Sequence, residues 1–559
     1  MKNLTVLLFC AVALAACGGK APPTYESAAV AMPDRYSAEV ASSILDAGGN
    51  AVDAAIAVAF SLAVTYPEAG NIGGGGFMLV QMDGESSFID YRETAPLAAH
   101  RDMYLDKDGE VIANASLIGH RASGVPGTVA GLWMAHQRYA TVPWAELIAP
   151  AIKLARSGFV VHESLAENAV EESVWHAGKV NFSEHFGALR AGEIFVQEDL
   201  ARTLERIAEH GVDEFYRGET AQLIVAEMER GDGLITLQDL DRYKAVLREP
   251  LRAPWRDLEI LSAPPPSSGG FAVIQLLKMK DLLAHEFAGQ EHNSPQYIHL
   301  IAEIEKRVFA DRAEYLGDPD YVDVPIQKLI SDDYLKKRVR GIRADKISRL
   351  EDVEPGLESL QTTHFSIVDH AGNAVSNTTT LNWTFGSGVV VEGAGFLLND
   401  EMDDFSIKPG VPNAYGVVGN AANEIQPGKR MLSSMSPTIL LRNGEVEMVI
   451  GTPGGSTIFT SVFQNIINIL DFGMNPTAAA GASRFHHQLL PPDLITYSPG
   501  VPLSADVISG LGDMGYRVEP HDFRFGDMQT IVKDGTQWQA GSDPRKRGES
   551  RVLLREVKQ

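Results

Sequence analysis

The chain has 559 residues, 45% of them hydrophobic and 22% charged, the balance of a folded globular protein long enough for more than one domain. Its 48 Lys and Arg against 73 Asp and Glu give a formal net charge of -25, which argues against a nucleic-acid partner, since that affinity rests on basic side chains neutralising phosphates. Both cysteines, Cys10 and Cys17, lie at the very start, so the rest of the chain can build no disulfide framework, zinc cluster or cysteine nucleophile.

In chain order, Met1-Lys2-Asn3 is a short basic start and Leu4 to Ala16 an apolar run. That run has the length of a signal-peptide core and is too short to span a bilayer comfortably. It closes on Leu14-Ala15-Ala16-Cys17 and is followed by Gly18, an ending similar to the bacterial lipobox. The expectation is a signal peptide over 1-16, lipidation of Cys17, a tether over 17-25 and a periplasmic protein held at the outer membrane by acyl chains, each buried methylene adding roughly 0.8 kcal/mol. An ordinary export signal with a chance cysteine is the other reading.

Ser37 opens a helical pattern that ends near Gly48-Gly49, and Asn50 with Asp53 starts a second helix, apolar all round and therefore buried, through about Val64. Gly70 to Gly76 is glycine-rich and leads into a strand over Phe77 to Met82. No Gly-Lys-Ser/Thr follows it, and a strand rather than a helix comes next, so it is not a phosphate loop. Residues 115-340 read as mostly helical, and 341-361 as a charged, weakly periodic, exposed stretch.

The character changes at Thr362. Thr363 to Asp369 alternates as a strand, Gly372-Asn373 turns, and Ala374 to Leu381 returns. Thr438 to Leu441 and Val446 to Ile450 flank Asn443-Gly444 as a hairpin, a helix runs from Ser456 to Leu470, and Ile531 to Ala540 turns at Asp534-Gly535. Hairpins and long apolar helices together indicate an α+β fold of sheets covered by helices. His486-His487 is an adjacent pair without metal-ligand spacing, so no metal or other cofactor is expected.

A threonine hydroxyl becomes a competent nucleophile when it sits at a chain's own N-terminus, because the free α-amine, with a pKa of about 7.7–8.0, takes its proton. That requires cleavage between Gln361 and Thr362. On local pattern alone, an ordinary strand-opening threonine is the other reading. The run Gln361-Thr362-Thr363-His364-Phe365-Ser366-Ile367-Val368-Asp369 resembles the processing site of the gamma-glutamyltranspeptidases. The likeness continues through Thr378-Thr379-Thr380-Leu381-Asn382, Asp403-Asp404-Phe405, Leu432-Ser433-Ser434-Met435-Ser436-Pro437 and Gly451-Thr452-Pro453-Gly454-Gly455. Upstream it includes Tyr91-Arg92-Glu93-Thr94-Ala95-Pro96 and Pro264-Pro265-Pro266-Ser267-Ser268-Gly269-Gly270.

The resemblance implies a four-layer αββα sandwich of the N-terminal nucleophile hydrolases, made of a large fragment over 26-361 and a small one over 362-559. It implies that Thr362 cuts its own chain and then carries a γ-glutamyl group, with Thr380 positioning it. Arg92, Ser433 and Ser434 would hold the donor's α-carboxylate, and Asn382, Glu401 and Asp404 its ammonium. Gly454 and Gly455 would receive the oxyanion, and Tyr415 would gate a lid. Glu401 stands where some bacterial members carry Gln. The implied partners are glutathione and related γ-glutamyl amides, amino-acid or peptide acceptors, and the two fragments for each other. A glutaryl-cleaving cephalosporin acylase on the same scaffold is the rival reading, disfavoured because glutaryl has no ammonium for Asp404 and Glu401 to meet. A lipid-anchored binding protein without catalysis is the alternative from another class.

Overall fold

The computed structural model describes residues 25–348, 362–408, 421–488, 490–521 and 523–556. Cys17, Gln361 and Tyr415 lie outside them.

Local chemistry sets the first helices. Asp34 caps Arg35–Asp46 by accepting the Ser37 N–H at 2.7 Å. The helix therefore opens two residues before Ser37, because the cap is the aspartate and not the serine. Asn50 and Asp53 form a reciprocal capping box on Ala51–Thr65, every residue of which is buried.

Two sheets stack at the centre. The larger runs, edge to edge, 549–556, 25–32, 363–368, 374–380, 75–82, 85–90 and 246–248. The smaller runs 537–542, 529–534, 445–451, 438–442, 258–262 and 251–255. Side chains alternate between two cores. Ala28, Val30, Met78 and Val80 face a helical layer that contains Ala51–Thr65. Ala29, Ala31, Phe77 and Leu79 face the second sheet, which is covered in turn by Gly269–Leu282, Pro295–Tyr315 and Thr457–Leu470. The order is helix, sheet, sheet, helix.

The stretch expected to be mostly helical also holds the hairpin Leu251–Trp255 and Leu258–Ser262. Its burial alternates strictly, with Leu251, Ala253 and Trp255 inside and Arg252 and Pro254 outside. That is a period of two, which a helical reading of the longer stretch averages away. The glycine run is a packing device: a Cβ on Gly74 would fall 2.1 Å from the Thr380 carbonyl oxygen, and one on Gly76 2.4 Å from that of Thr378. Only glycine lets strand 75–82 lie flush against strand 374–380 here.

Candidate active site

Thr362 stands directly before strand Thr363–Val368 and is 8% exposed. Its Oγ1 is buried without a hydrogen-bond partner among the described residues. Pairing of Thr378 with His364 and Thr379 with Thr363 brings Thr380, one step on, across from Thr362. Thr380 Oγ1 accepts the Asn382 N–H at 2.7 Å, which holds the turn leaving the strand. Asn382, at φ 78°, sends its side-chain amide to the Asp400 carbonyl at 3.0 Å, next to Glu401.

His364 anchors the opposite side. Its ring meets Thr378 Oγ1 at 2.8 Å and Ser366 Oγ at 3.1 Å. Burial pulls its pKa down to about 3, so the ring is neutral at ordinary pH. The ring occupies the place a Cβ on Gly451 would take, 2.2 Å from Cε1. This close approach brings Thr452-Pro453-Gly454-Gly455 beside strand Thr363–Val368. Gly454 and Gly455 have φ of 134° and 54°, and the helix Thr457–Leu470 begins just beyond them. A sharp glycine turn at a helix N-terminus presents backbone N–H groups to negative charge.

The donor-end residues gather elsewhere on the same framework. Arg92 is fully buried and its guanidinium pairs with both Glu401 and Asp404, while its Nε reaches the Met431 carbonyl at 3.3 Å and its Nη2 the Leu432 carbonyl at 3.2 Å. Arg92, expected at the donor's α-carboxylate, and Glu401 and Asp404, expected at its ammonium, thus form one ionic cluster. The guanidinium lies between the two carboxylates and bridges them. Burial holds Glu401 well above the usual carboxylate range although Arg92 pulls the other way. Ser433 and Ser434 follow the two carbonyls that Arg92 contacts. Ser433 N–H donates to Pro266 O at 2.9 Å, its carbonyl accepts the Ser268 N–H at 2.7 Å, and Ser434 Oγ is buried without a partner among the described residues.

Sequence reasoning gave no role to Glu93. It is fully buried, 3.7 Å from Arg92, with neither carboxyl oxygen hydrogen-bonded among the described residues, and burial raises its pKa to about 8. Its neighbour in the motif was the only signal available. Trp383, which directly follows Asn382, was also passed over. It lines, with Thr362 and Gly454, a cleft of about 1270 Å³. Arg92, Glu401, Asp404, Ser433 and Ser434 do not border that cleft. Among the described residues no group of His, Cys, Asp or Glu is arranged to hold a metal ion.

The family model for gamma-glutamyltranspeptidase matches residues 37–553. The chain belongs to the gamma-glutamyltranspeptidase family. It is 58% identical over 543 residues to a glutathione hydrolase proenzyme of Pseudomonas aeruginosa, covering 97% of this chain and 98% of that one. It is 46% identical to the Escherichia coli glutathione hydrolase proenzyme, covering 92% and 90%. Among solved structures, cephalosporin acylase from Bacillus halodurans superposes with a TM-score of 0.81 at 26% identity over 98% of this chain and 99% of that one. Gamma-glutamyltranspeptidase from Pseudomonas nitroreducens, complexed with L-DON, is 54% identical with a TM-score of 0.57 and covers 58% of this chain and 96% of that one. Family membership and the two stacked sheets agree with the αββα architecture.

Proposed function

We propose that this gamma-glutamyltranspeptidase-family protein is a self-cleaving glutathione hydrolase and γ-glutamyltransferase with Thr362 as nucleophile. The observation that carries the reading is the placement of Thr362 on the wall of the large cleft beside Gly454, at the head of a strand whose partner brings Thr380 opposite. Cleavage frees the Thr362 α-amine, which takes the proton from Oγ1 as that oxygen attacks the γ-carbonyl. Backbone N–H groups of Gly454 and Gly455 stabilise the oxyanion. The donor's ammonium goes to Glu401, Asp404 and Asn382, its carboxylate to Arg92, Ser433 and Ser434. Acidic side chains outnumber the one guanidinium in this cluster, so a donor ammonium meets carboxyl oxygens that a glutaryl donor would leave without it. The acyl-enzyme then passes its γ-glutamyl group to water or an amine. For the cell, the leader supports a periplasmic protein anchored to the outer membrane through Cys17; metabolic labelling with a palmitate analogue tests this, and an unlabelled wild type would refute the anchor.

The purified protein should run as two fragments, the smaller starting Thr362-Thr363-His364, and Thr362→Ala should stay full length and inactive. An intact single band that still releases p-nitroaniline from γ-glutamyl-p-nitroanilide would sink the mechanism.

A further inference from the structure

Two buried asparagines that no step above uses tie the glycine run Gly70 to Gly76 to the site. Asn399 is fully buried and its amide makes four hydrogen bonds. Nδ2 donates to the carbonyls of Gly73 and Gly124, both at 2.9 Å; Oδ1 accepts the Gly124 N–H at 2.9 Å and the Glu401 N–H at 3.1 Å. Asn71, 5% exposed, is a second hub of the same kind. Its Nδ2 donates to the carbonyls of Ala69 at 2.9 Å and Thr380 at 2.7 Å, with Thr379 Oγ1 further off at 3.4 Å. Its Oδ1 accepts the Gly74 N–H and the Thr128 hydroxyl, both at 2.8 Å.

A primary amide offers two N–H donors and an oxygen with two lone pairs, and both asparagines use all of them. A buried polar network satisfied in full fixes a single geometry. There is no slack around it: a Cβ on Gly73 would fall 2.1 Å from the Leu397 carbonyl oxygen, and one on Gly74 2.7 Å from Asn71 Oδ1. The two hubs also reach across position 362 in opposite directions. Asn399 follows Thr362 in the chain and reaches Gly73 and Gly124, which precede it; Asn71 precedes it and reaches Thr380, which follows. Next to Gly124, Val125 exchanges backbone hydrogen bonds with Thr94 at 2.8 and 3.4 Å, two residues from Arg92. Asn399 therefore registers the backbone of Glu401 against the segment that carries Arg92. Asn71 holds instead the residue that strand pairing brings across from Thr362.

We propose that the two asparagines are positioning residues with separate tasks, Asn399 setting Glu401 for the ammonium of the donor and Asn71 setting Thr380 beside the nucleophile. The inference rests on the γ-glutamyl reading above and assigns the two halves of that site to different supports. Aspartate keeps the shape of asparagine but, when ionised, has no N–H to give. Asn399→Asp therefore strips the donors from Gly73 and Gly124, and Asn71→Asp strips them from Ala69 and Thr380.

The test follows the burst of p-nitroaniline from γ-glutamyl-p-nitroanilide, whose dependence on donor concentration separates donor binding from the rate of acylation. Asn399→Asp should weaken donor binding by about tenfold or more, keep the saturating acylation rate within about threefold, and still yield two fragments. Asn71→Asp should do the reverse: self-cleavage and acylation slowed by about tenfold or more, with donor binding in the cleaved fraction within about threefold. A merely structural role would move binding and rate together in both variants, and that result, or unchanged kinetics, overturns the assignment. If either aspartate variant does not fold, the alanine variant takes its place; a position at which neither folds is structural, and its assignment falls. A wild type that releases no p-nitroaniline refutes the donor reading itself rather than this division of tasks.

Discussion

Arg92 illustrates how much one side chain can be asked to do. It is buried among Glu93, Glu401 and Asp404, and it keeps a raised pKa because the carboxylates outweigh the burial that opposes its charge. Asp404→Asn removes one charge without changing shape. The variant should still cleave itself but lose about 10- to 100-fold in kcat/KM for γ-glutamyl donors, the equivalent of roughly 1.5–3 kcal/mol for a charge-assisted hydrogen bond; unchanged donor kinetics would refute the assignment. His364 makes a pH prediction. Its folded pKa of about 3 lies below the unfolded value near 6.5, so the folded state binds fewer protons between them. The stability this histidine contributes is complete above about pH 6.5 and is lost as pH falls toward 3, by up to about 1.4 kcal/mol per unit. The melting temperature should drop between pH 7 and pH 5, and by less in His364→Asn; equal drops would show that the ring does not drive it. Motif order in the sequence named Arg92, Glu401 and Asp404. Their mutual pairing was hidden, because Arg92 and Asp404 are 312 residues apart and meet only through the fold.

At the scale of elements, short-range chemistry was legible and long averages were not. The capping box at Asn50 is written in adjacent residues, and so is the turn at Asn443-Gly444, whose two residues have positive φ. The hairpin over 251–262 was lost inside a stretch dominated by helices. Gly451 shows a role no local pattern could announce, since the ring it accommodates belongs to a different strand. Gly451→Ala must push His364 along the strand that directly follows Thr362. Overpacking of this kind costs about 1–3 kcal/mol, and uncleaved precursor should accumulate, visible as a full-length band during expression. Cleavage at the wild-type rate would show that the ring and the nucleophile are positioned independently.

Across the whole molecule, a cut before Thr362 would leave two interleaved fragments. Strand 25–32 lies between 549–556 and 363–368, and strands 251–262 complete the sheet begun by 438–442. The layer order came to the sequence reading only through family likeness, because contacts such as Ser542 to Met32 span 510 residues and leave no periodic trace. The pairing of Tyr25 with Glu556 carries a consequence for how the nucleophile is made. Neighbouring strands lie about 4.8 Å apart, so a few glycines could join these two ends. A circularly permuted gene could then open at Thr362, and removal of the initiator methionine would expose the α-amine with no internal peptide bond to break. Such a chain should hydrolyse γ-glutamyl-p-nitroanilide as a single polypeptide, within about tenfold of the two-fragment enzyme. Birth of the nucleophile and its use would become separable events, and an inactive but folded permutant would mean that self-cleavage does more than liberate an amine.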